Sequence, residues 1–202
     1  MRCHTAEYSP CSEVTAIELV RQCQRLGLAG AVLTDHHFVW PEAELARLRR
    51  EAGVPAHFLL CSGQEVSTVD LGDLLVYGAE QTFPRGVTLR EVREQAPDAA
   101  LVWAHPFRWR RVPVLGDLLH PALDGIEVLN GNQTPDENEL AVQFWQRYGF
   151  RALAGSDVHE LAAVGRFPSQ CTREVKTVAE LVTAIRNGEC LPRTIDLPLA
   201  GG

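Results

Sequence analysis

Arg151-Ala152-Leu153-Ala154-Gly155-Ser156-Asp157-Val158-His159 decides how this chain is read. Residues 151–154 form a short strand-like run, and an Asp and a His follow it two residues apart. In an extended or just-ending strand that spacing turns both side chains toward one face. A carboxylate and an imidazole aimed at one point are metal ligands or an acid–base pair. Taken alone, the pair equally describes a solvated strand end. Its meaning depends on whether other strand ends supply partners of the same kind.

Working outward, strand-like and helix-like stretches alternate along the whole chain. Ser12 reads as a helix N-cap, with Glu13 in the first turn. Apolar residues from Val14 to Leu26 then recur at helical spacing, and Gly27 stops them. A strand over 29–34 ends in Asp35-His36-His37, and Pro41 opens a second helix that ends at Gly53. Strands are expected at 57–61, 73–78, 100–104 and 125–130, with helices at 88–95 and 135–148 and a short apolar segment at 115–119. After 151–154, a last strand is expected at 173–176, then a helix over 178–187 capped by Thr177 and an irregular tail. This strand–helix alternation predicts an α/β fold with a parallel sheet or barrel. No linker or composition shift interrupts 1–202, so one domain is expected.

The strand ends share a chemistry. His4 precedes the first helix, Asp35 and His36 close one strand, and Glu65 follows another. His105 closes a third, Glu127 lies in a fourth, and Asp157 and His159 follow the fifth. In a parallel barrel these ends converge on the face where active sites sit. Five of the seven histidines are at or next to such positions, all but His57 and His120. Imidazoles and carboxylates without a thiolate suit Zn, Mn or Fe(II) in a hydrolytic site rather than a structural zinc site. The set exceeds what one ion needs, and Glu65 is the natural bridge between ions about 3.5–4 Å apart. Arg108, three residues beyond His105, is a candidate phosphate ligand, whereas Arg110 and Arg111 read as a solvated loop.

Composition sets the outer limits. The 202 residues are 46% hydrophobic and 22% charged, enough for one domain with a real core. The net charge of −7, with dispersed basic residues, argues against an extended nucleic-acid surface but leaves room for a small phosphate pocket. No apolar run of about 18 residues is present, so no membrane span is expected. The start, Met1-Arg2-Cys3-His4-Thr5, has no apolar signal region, which predicts a cytoplasmic protein. The six cysteines include no Cys-x-x-Cys pair and read as reduced thiols, mostly core filler.

Six short motifs, in order, give the chain a resemblance. They are Cys3-His4-Thr5-Ala6-Glu7-Tyr8-Ser9, Leu33-Thr34-Asp35-His36, Gly63-Gln64-Glu65, Ala104-His105-Pro106-Phe107-Arg108, Ile126-Glu127-Val128-Leu129-Asn130 and Gly155-Ser156-Asp157-Val158-His159. Together they resemble the PHP family, the polymerase and histidinol phosphatase domain, over nearly the whole chain. The resemblance implies a distorted (β/α)7 barrel, with one to three divalent metal ions (Zn, Mn or Fe) at the C-terminal strand ends. It implies hydrolysis of a phosphate mono- or diester of a small phosphorylated substrate. By position it assigns His36 and His159 to one ion, makes Glu65 a bridge, and gives His105 and Asp157 to the two bridged ions. His4 takes the second position of the family's first His-x-His, Asp35 is a ligand or its supporting partner, and Arg108 holds phosphoryl oxygens.

Two departures accompany the resemblance. The first His of the His-x-His falls on Arg2, and a further ligand position falls on Pro10. The strand that carries the His-x-His in the family has no counterpart ahead of Arg2, so either the start is assigned too late or the domain is truncated or degenerate, and the barrel is expected to lack its first strand. Two alternatives stand beside the phosphoesterase: a catalytically reduced domain used for binding or structure, and a metal-dependent hydrolase of a non-phosphate substrate such as an amide.

Overall fold

A computed structural model describes residues 1–194 of the chain. Its centre is a six-stranded sheet in sequence order, β1 (Gly30–Leu33), β2 (Leu59–Ser67), β3 (Asp73–Tyr77), β4 (Ala100–Trp103), β5 (Gly125–Asn130) and β6 (Ala152–Gly155). The expected α/β architecture is present, as a curled half-barrel with helices packed on it. The sheet is mixed rather than parallel throughout. The pairs β1–β2, β4–β5 and β5–β6 are parallel, while β3 runs antiparallel to both β2 and β4. A five-residue connection between β2 and β3 is too short for a crossover helix, so the chain can only turn back.

The N-terminus closes one side of the curl. Cys3 makes a parallel bridge to Val158, His4 N–H donates to the Val158 carbonyl, and Thr34 N–H donates to the Cys3 carbonyl at 2.8 Å. Residues 3 and 4 therefore lie between the end of β1 and the segment after β6. Where the sequence suggested a missing strand, a single bridged residue ties the two edges.

Local chemistry fixes the helices around this sheet. α1 (Ala16–Arg25), α3 (Leu89–Gln95) and α5 (Pro135–Tyr148) each begin at a Thr whose side chain caps the N3 amide while the N3 Glu reaches back. α1 therefore starts from Thr15. The expected cap Ser12 instead donates to the His4 carbonyl and accepts from Val14 N–H. α2 (Glu42–Ala52) follows Pro41 and ends at Gly53 in the left-handed conformation. A short helix, α4 (Leu115–Leu118), replaces the apolar segment expected at 115–119. Among the described residues no helix is long and apolar enough to cross a membrane.

The C-terminal part differs from the sequence reading. Residues 173–176 form no strand. β7 (Ser169–Cys171) pairs instead with β8 (Cys190–Pro192), which follows α6 (Val178–Arg186) in the stretch expected to be an irregular tail. The rest of that tail, 195–202, lies outside the described residues. The apolar strand residues are buried on both faces, Ala100–Trp103 throughout, as expected of strands covered by helices. About 25 cal/mol per Å² of apolar surface removed from water drives that burial.

Candidate metal centre

The strand ends bring the residues singled out by the sequence into one buried cluster. His4, Asp35, Glu65, His105, Glu127 and Asp157 are all buried, and His36 and His159 sit half-exposed at its rim. His4 stacks on His36 with centroids 4.5 Å apart and lies 4.8 Å from the His159 ring. The backbone bends sharply there. His105 has φ +32° and Asp157 +49°, both in the region disfavoured for side chains with a Cβ. Asp157 and His159 consequently do not share an extended strand face. The turn sends Asp157 inward and leaves His159 at the rim, with Nδ1 2.9 Å from the Asp157 carbonyl. His37 also has a positive φ and turns away, to the Phe83 carbonyl.

Asp35 is fully engaged with its neighbours. Its oxygens accept from Thr5 N–H at 2.7 Å, Thr5 Oγ1 at 2.9 Å, Ser9 Oγ at 2.6 Å and Trp40 Nε1 at 2.7 Å. It therefore holds the N-terminal loop in place. Ser9 Oγ donates a hydrogen bond to Asp35 and accepts from His36 N–H, and it lies 3.4 Å from His4 Nδ1. With its hydrogen committed, Ser9 can only accept from His4, so Nδ1 carries hydrogen and the neutral ring keeps its Nε2 lone pair free.

That lone pair faces other lone pairs. His4 Nε2 lies 2.9 Å from Glu65 Oε2 and 3.3 Å from Asp157 Oδ1, yet neither contact is a hydrogen bond. His36 Nδ1 lies 4.0 Å from the same Glu65 oxygen. All four atoms are buried without a hydrogen-bond partner among the described residues. Buried polar atoms are normally satisfied, so a convergent group of this kind calls for a cation or a proton. The proton answer appears as a raised His4 pKa. Burial lowers it, but Asp157 and Glu65 outweigh burial and lift the imidazole to about 9. The ion answer uses the same atoms: His4, Asp157 and His159 offer ligand atoms within 4.8 Å of one another. The residues present thus fit a divalent ion at this position.

The adjoining position is filled by Arg2, a buried guanidinium 2% exposed. Its Nη2 donates to Glu65 Oε1 at 2.6 Å and lies 3.0 Å from His105 Nε2, and its Nη1 donates to Glu127 Oε2 at 2.9 Å. Its Nε is 3.2 Å from Asp157 Oδ1. Burial alone would lower the Arg2 pKa, but Asp157, Glu65 and Glu127 outweigh it and keep the group charged. Burial would likewise raise the Glu65 and Asp157 carboxyls, and Arg2 and His4 instead hold both well below the usual range. Three carboxylates face two guanidinium groups, Arg2 and Arg108, so the cluster keeps a net negative charge that favours a cation.

Some neighbours of the cluster were not singled out by the sequence. Asp73 lies 3.7 Å from His105 Nε2. It opens β3, and only because β3 runs antiparallel does its first residue lie where the neighbouring strands end. Cys11 is exposed, unlike the buried cysteines, and its sulfur lies within ligand spacing of His4 and His36, beside the Pro10 that cannot coordinate. Glu127 also accepts from His105 N–H and from Asn130 Nδ2, which fixes it beneath Arg2. Arg108 donates to Asp157 Oδ2 at 2.6 Å and to Asn130 Oδ1 at 3.3 Å, at the partly open edge of the cluster. Next to it Trp109 is 87% exposed. A separate cavity of about 640 Å³ is lined by Ala29, Gly30 and Leu59, at the opposite end of β1 and β2.

Comparison with known proteins bears on the fold that carries this cluster. Residues 135–190 match the family model described as PHP-associated. No curated protein is similar enough in sequence to count as a relative. Among solved structures the chain is similar to PsfC from Pseudomonas syringae PB-5123, at 14% identity and a TM-score of 0.65, over 89% of this chain and 82% of that one. It is similar to a candidate metal-dependent phosphoesterase from Bifidobacterium adolescentis, at 18% identity and a TM-score of 0.56, over 79% of this chain and 86% of that one. It is also similar to the lesion-specific endonuclease Q of Pyrococcus furiosus, at 17% identity and a TM-score of 0.61, over 94% of this chain but only 56% of that one. At these identities the likeness is one of fold. The comparisons thus show a PHP-associated match confined to residues 135–190 and a fold shared over most of the chain.

Proposed function

We propose that this protein is a metal-dependent hydrolase that cleaves a phosphate ester of a small substrate. The observation that carries the reading is the set of buried, unpartnered atoms His4 Nε2, Glu65 Oε2 and Asp157 Oδ1, joined at the rim by His36 and His159. These residues would hold a divalent ion such as Zn, Mn or Fe. The ion would supply Lewis acidity toward a phosphoryl oxygen and activation of water for attack on phosphorus.

The chain's own residues perform the remaining tasks. Asp35, through Ser9, holds His4 in the tautomer that presents Nε2. Arg108 uses Nη2 to hold Asp157, and its Nη1 makes no hydrogen bond among the described residues. From the edge of the cluster that nitrogen can reach a non-bridging phosphate oxygen, where a charge-assisted bond favours the developing negative charge. The His105 and Asp157 turns are held rigid by Glu127 and Asn132, which fixes the reacting groups before substrate arrives.

The test is direct. Purified protein is stripped of metal, reloaded with Mn or Zn, and assayed on a generic phosphate monoester and a diester. Metal-dependent turnover that His4→Ala and Asp157→Asn abolish is expected. Bound metal without turnover on either ester would favour the second reading, a reduced domain used for binding. Arg2 gives that reading its footing, because it neutralises carboxylates that could otherwise serve an ion.

A further inference from the structure

The cluster has two cationic positions, and they are not equivalent. At one, His4 Nε2, Glu65 Oε2 and Asp157 Oδ1 face each other unpartnered. At the other, Glu65 Oε1, Glu127 Oε2 and His105 Nε2 already surround a cation, the Arg2 guanidinium. We propose that Arg2 stands permanently in the place of a metal ion, so that this centre takes a single divalent ion, held by His4, Glu65 and Asp157.

The geometry supports this from three sides. First, Arg2 donates from Nη2 to Glu65 at 2.6 Å and from Nη1 to Glu127 at 2.9 Å, while its Nε lies 3.2 Å from Asp157 Oδ1 without a hydrogen bond, which leaves that oxygen available to an ion. A fixed, planar fork of donors is suited to that task, whereas an ammonium is not. Second, an ion among Glu65 Oε1, Glu127 and His105 would need bonds of about 2.0–2.2 Å to atoms that now receive N–H donors, and Arg2 would have to leave. The group Glu65, Asp73 and His105, which has ligand spacing, is closed for the same reason, because Arg2 Nη2 lies on Glu65 Oε1 and His105 Nε2. Third, a second divalent ion would place two more positive charges beside a buried guanidinium, which low polarity penalises.

Glu65 then keeps a bridging role in altered form. One oxygen goes to Arg2 and the other faces the open position, so an arginine and an ion share the carboxylate that elsewhere would join two ions. Arg2 is buried and acts through Glu65 and Asp157, so it is a positioning residue.

The inference rests on the metal-centre reading above, and its test counts ions rather than turnover. Wild-type protein, Arg2→His and Glu127→Gln are each dialysed against Zn and assayed for bound metal, and the wild type is examined by anomalous diffraction. The expected result is one equivalent in the wild type, located at His4, and a second equivalent in Arg2→His. Glu127→Gln is expected to keep the wild-type count, since Glu127 faces Arg2 and not the ion. An anomalous peak among Glu65, Glu127 and His105 in the wild type would overturn the proposal. So would an equal count in Arg2→His and wild type, or a lost equivalent in Glu127→Gln. If Arg2→His does not fold, the wild-type peak and the Glu127→Gln count decide alone. A wild type without metal would overturn the proposal, whereas one equivalent at His4 without turnover on either ester would overturn the hydrolase reading alone.

Discussion

Ser9 Oγ lies 2.6 Å from Asp35 Oδ1 and donates a hydrogen bond to that carboxylate. The direction of this one bond determines the state of His4, because a hydroxyl that has donated can only accept from Nδ1. Ser9→Ala removes the acceptor and frees His4 to take either tautomer. Partners of this kind behind a ligand are worth about 10–100-fold in metal affinity. Competition titration of Zn against a chelator should show a loss of that size, with the far-UV spectrum unchanged. Unchanged affinity would remove Ser9 from the site.

Gly155 leaves no room for a side chain. A Cβ there would overlap Glu127 Oε1 and lie 2.8 Å from Arg2 Cβ, both inside the buried cluster. Gly155→Ala must displace Glu127 or the N-terminal segment, at a cost of about 1–3 kcal/mol for overpacking. Urea unfolding of the metal-free protein should show a midpoint shift of that sign.

Arg2→Ala leaves Glu65, Glu127 and Asp157 buried without their counter-charge. Breaking a buried pair by removing one partner costs about 3–5 kcal/mol. Denaturant unfolding in chelator should show that loss, and added Zn should recover part of it, since the vacated carboxylates can then take an ion. A variant as stable as the wild type in chelator would mean the carboxylates are not held by Arg2.

Arg108→Ala removes a site arginine that lies at the partly open edge. A hydrogen bond to a charged group is worth about 1.5–3 kcal/mol, which corresponds to a fall in kcat/KM on the order of 10–100-fold for a phosphate ester. The metal count should stay close to that of the wild type. Full activity in this variant would exclude a substrate contact.

Cys171 and Cys190 are direct cross-strand partners in β7–β8, with Sγ atoms 2.8 Å apart. The contact with Cys190 lowers the Cys171 pKa against the opposing effect of burial. Oxidised glutathione should therefore join them, each sulfur losing its hydrogen as the reagent is reduced to two thiols. A lowered pKa puts more thiolate on Cys171 at neutral pH, and the rate should rise with pH and level off below the ordinary thiol range. Mass analysis after digestion checks the link, and Cys171→Ser should abolish it.

The sequence carried the strand ends well because they combine turn residues with unusual ligand types. His4, Glu65, His105 and Asp157 meet as expected from that pattern alone. Topology was less legible. An apolar run such as 73–77 has the same pattern in either direction, and only the short connection from β2 hinted at reversal. Asp73 went unnoticed for that reason. Arg2 was visible as a departure from a motif, but its reach into three carboxylates depends on contacts across 63 and 125 residues of chain, which spacing does not encode. β7 and β8 escaped notice because each has only three residues and weak alternation.

The left-handed turns at His105 and Asp157 carry a consequence for engineering. Each holds a side chain at a positive φ that glycine adopts more freely. A thermostability screen blind to activity would be drawn to these two positions along with Trp109 and Arg110, which share the positive φ. At the first two, the substitutions it rewards would delete His105 or Asp157 from the centre. Library design for a more robust variant should therefore hold both codons fixed and seek its gains elsewhere, such as at the exposed Val69 and Leu119.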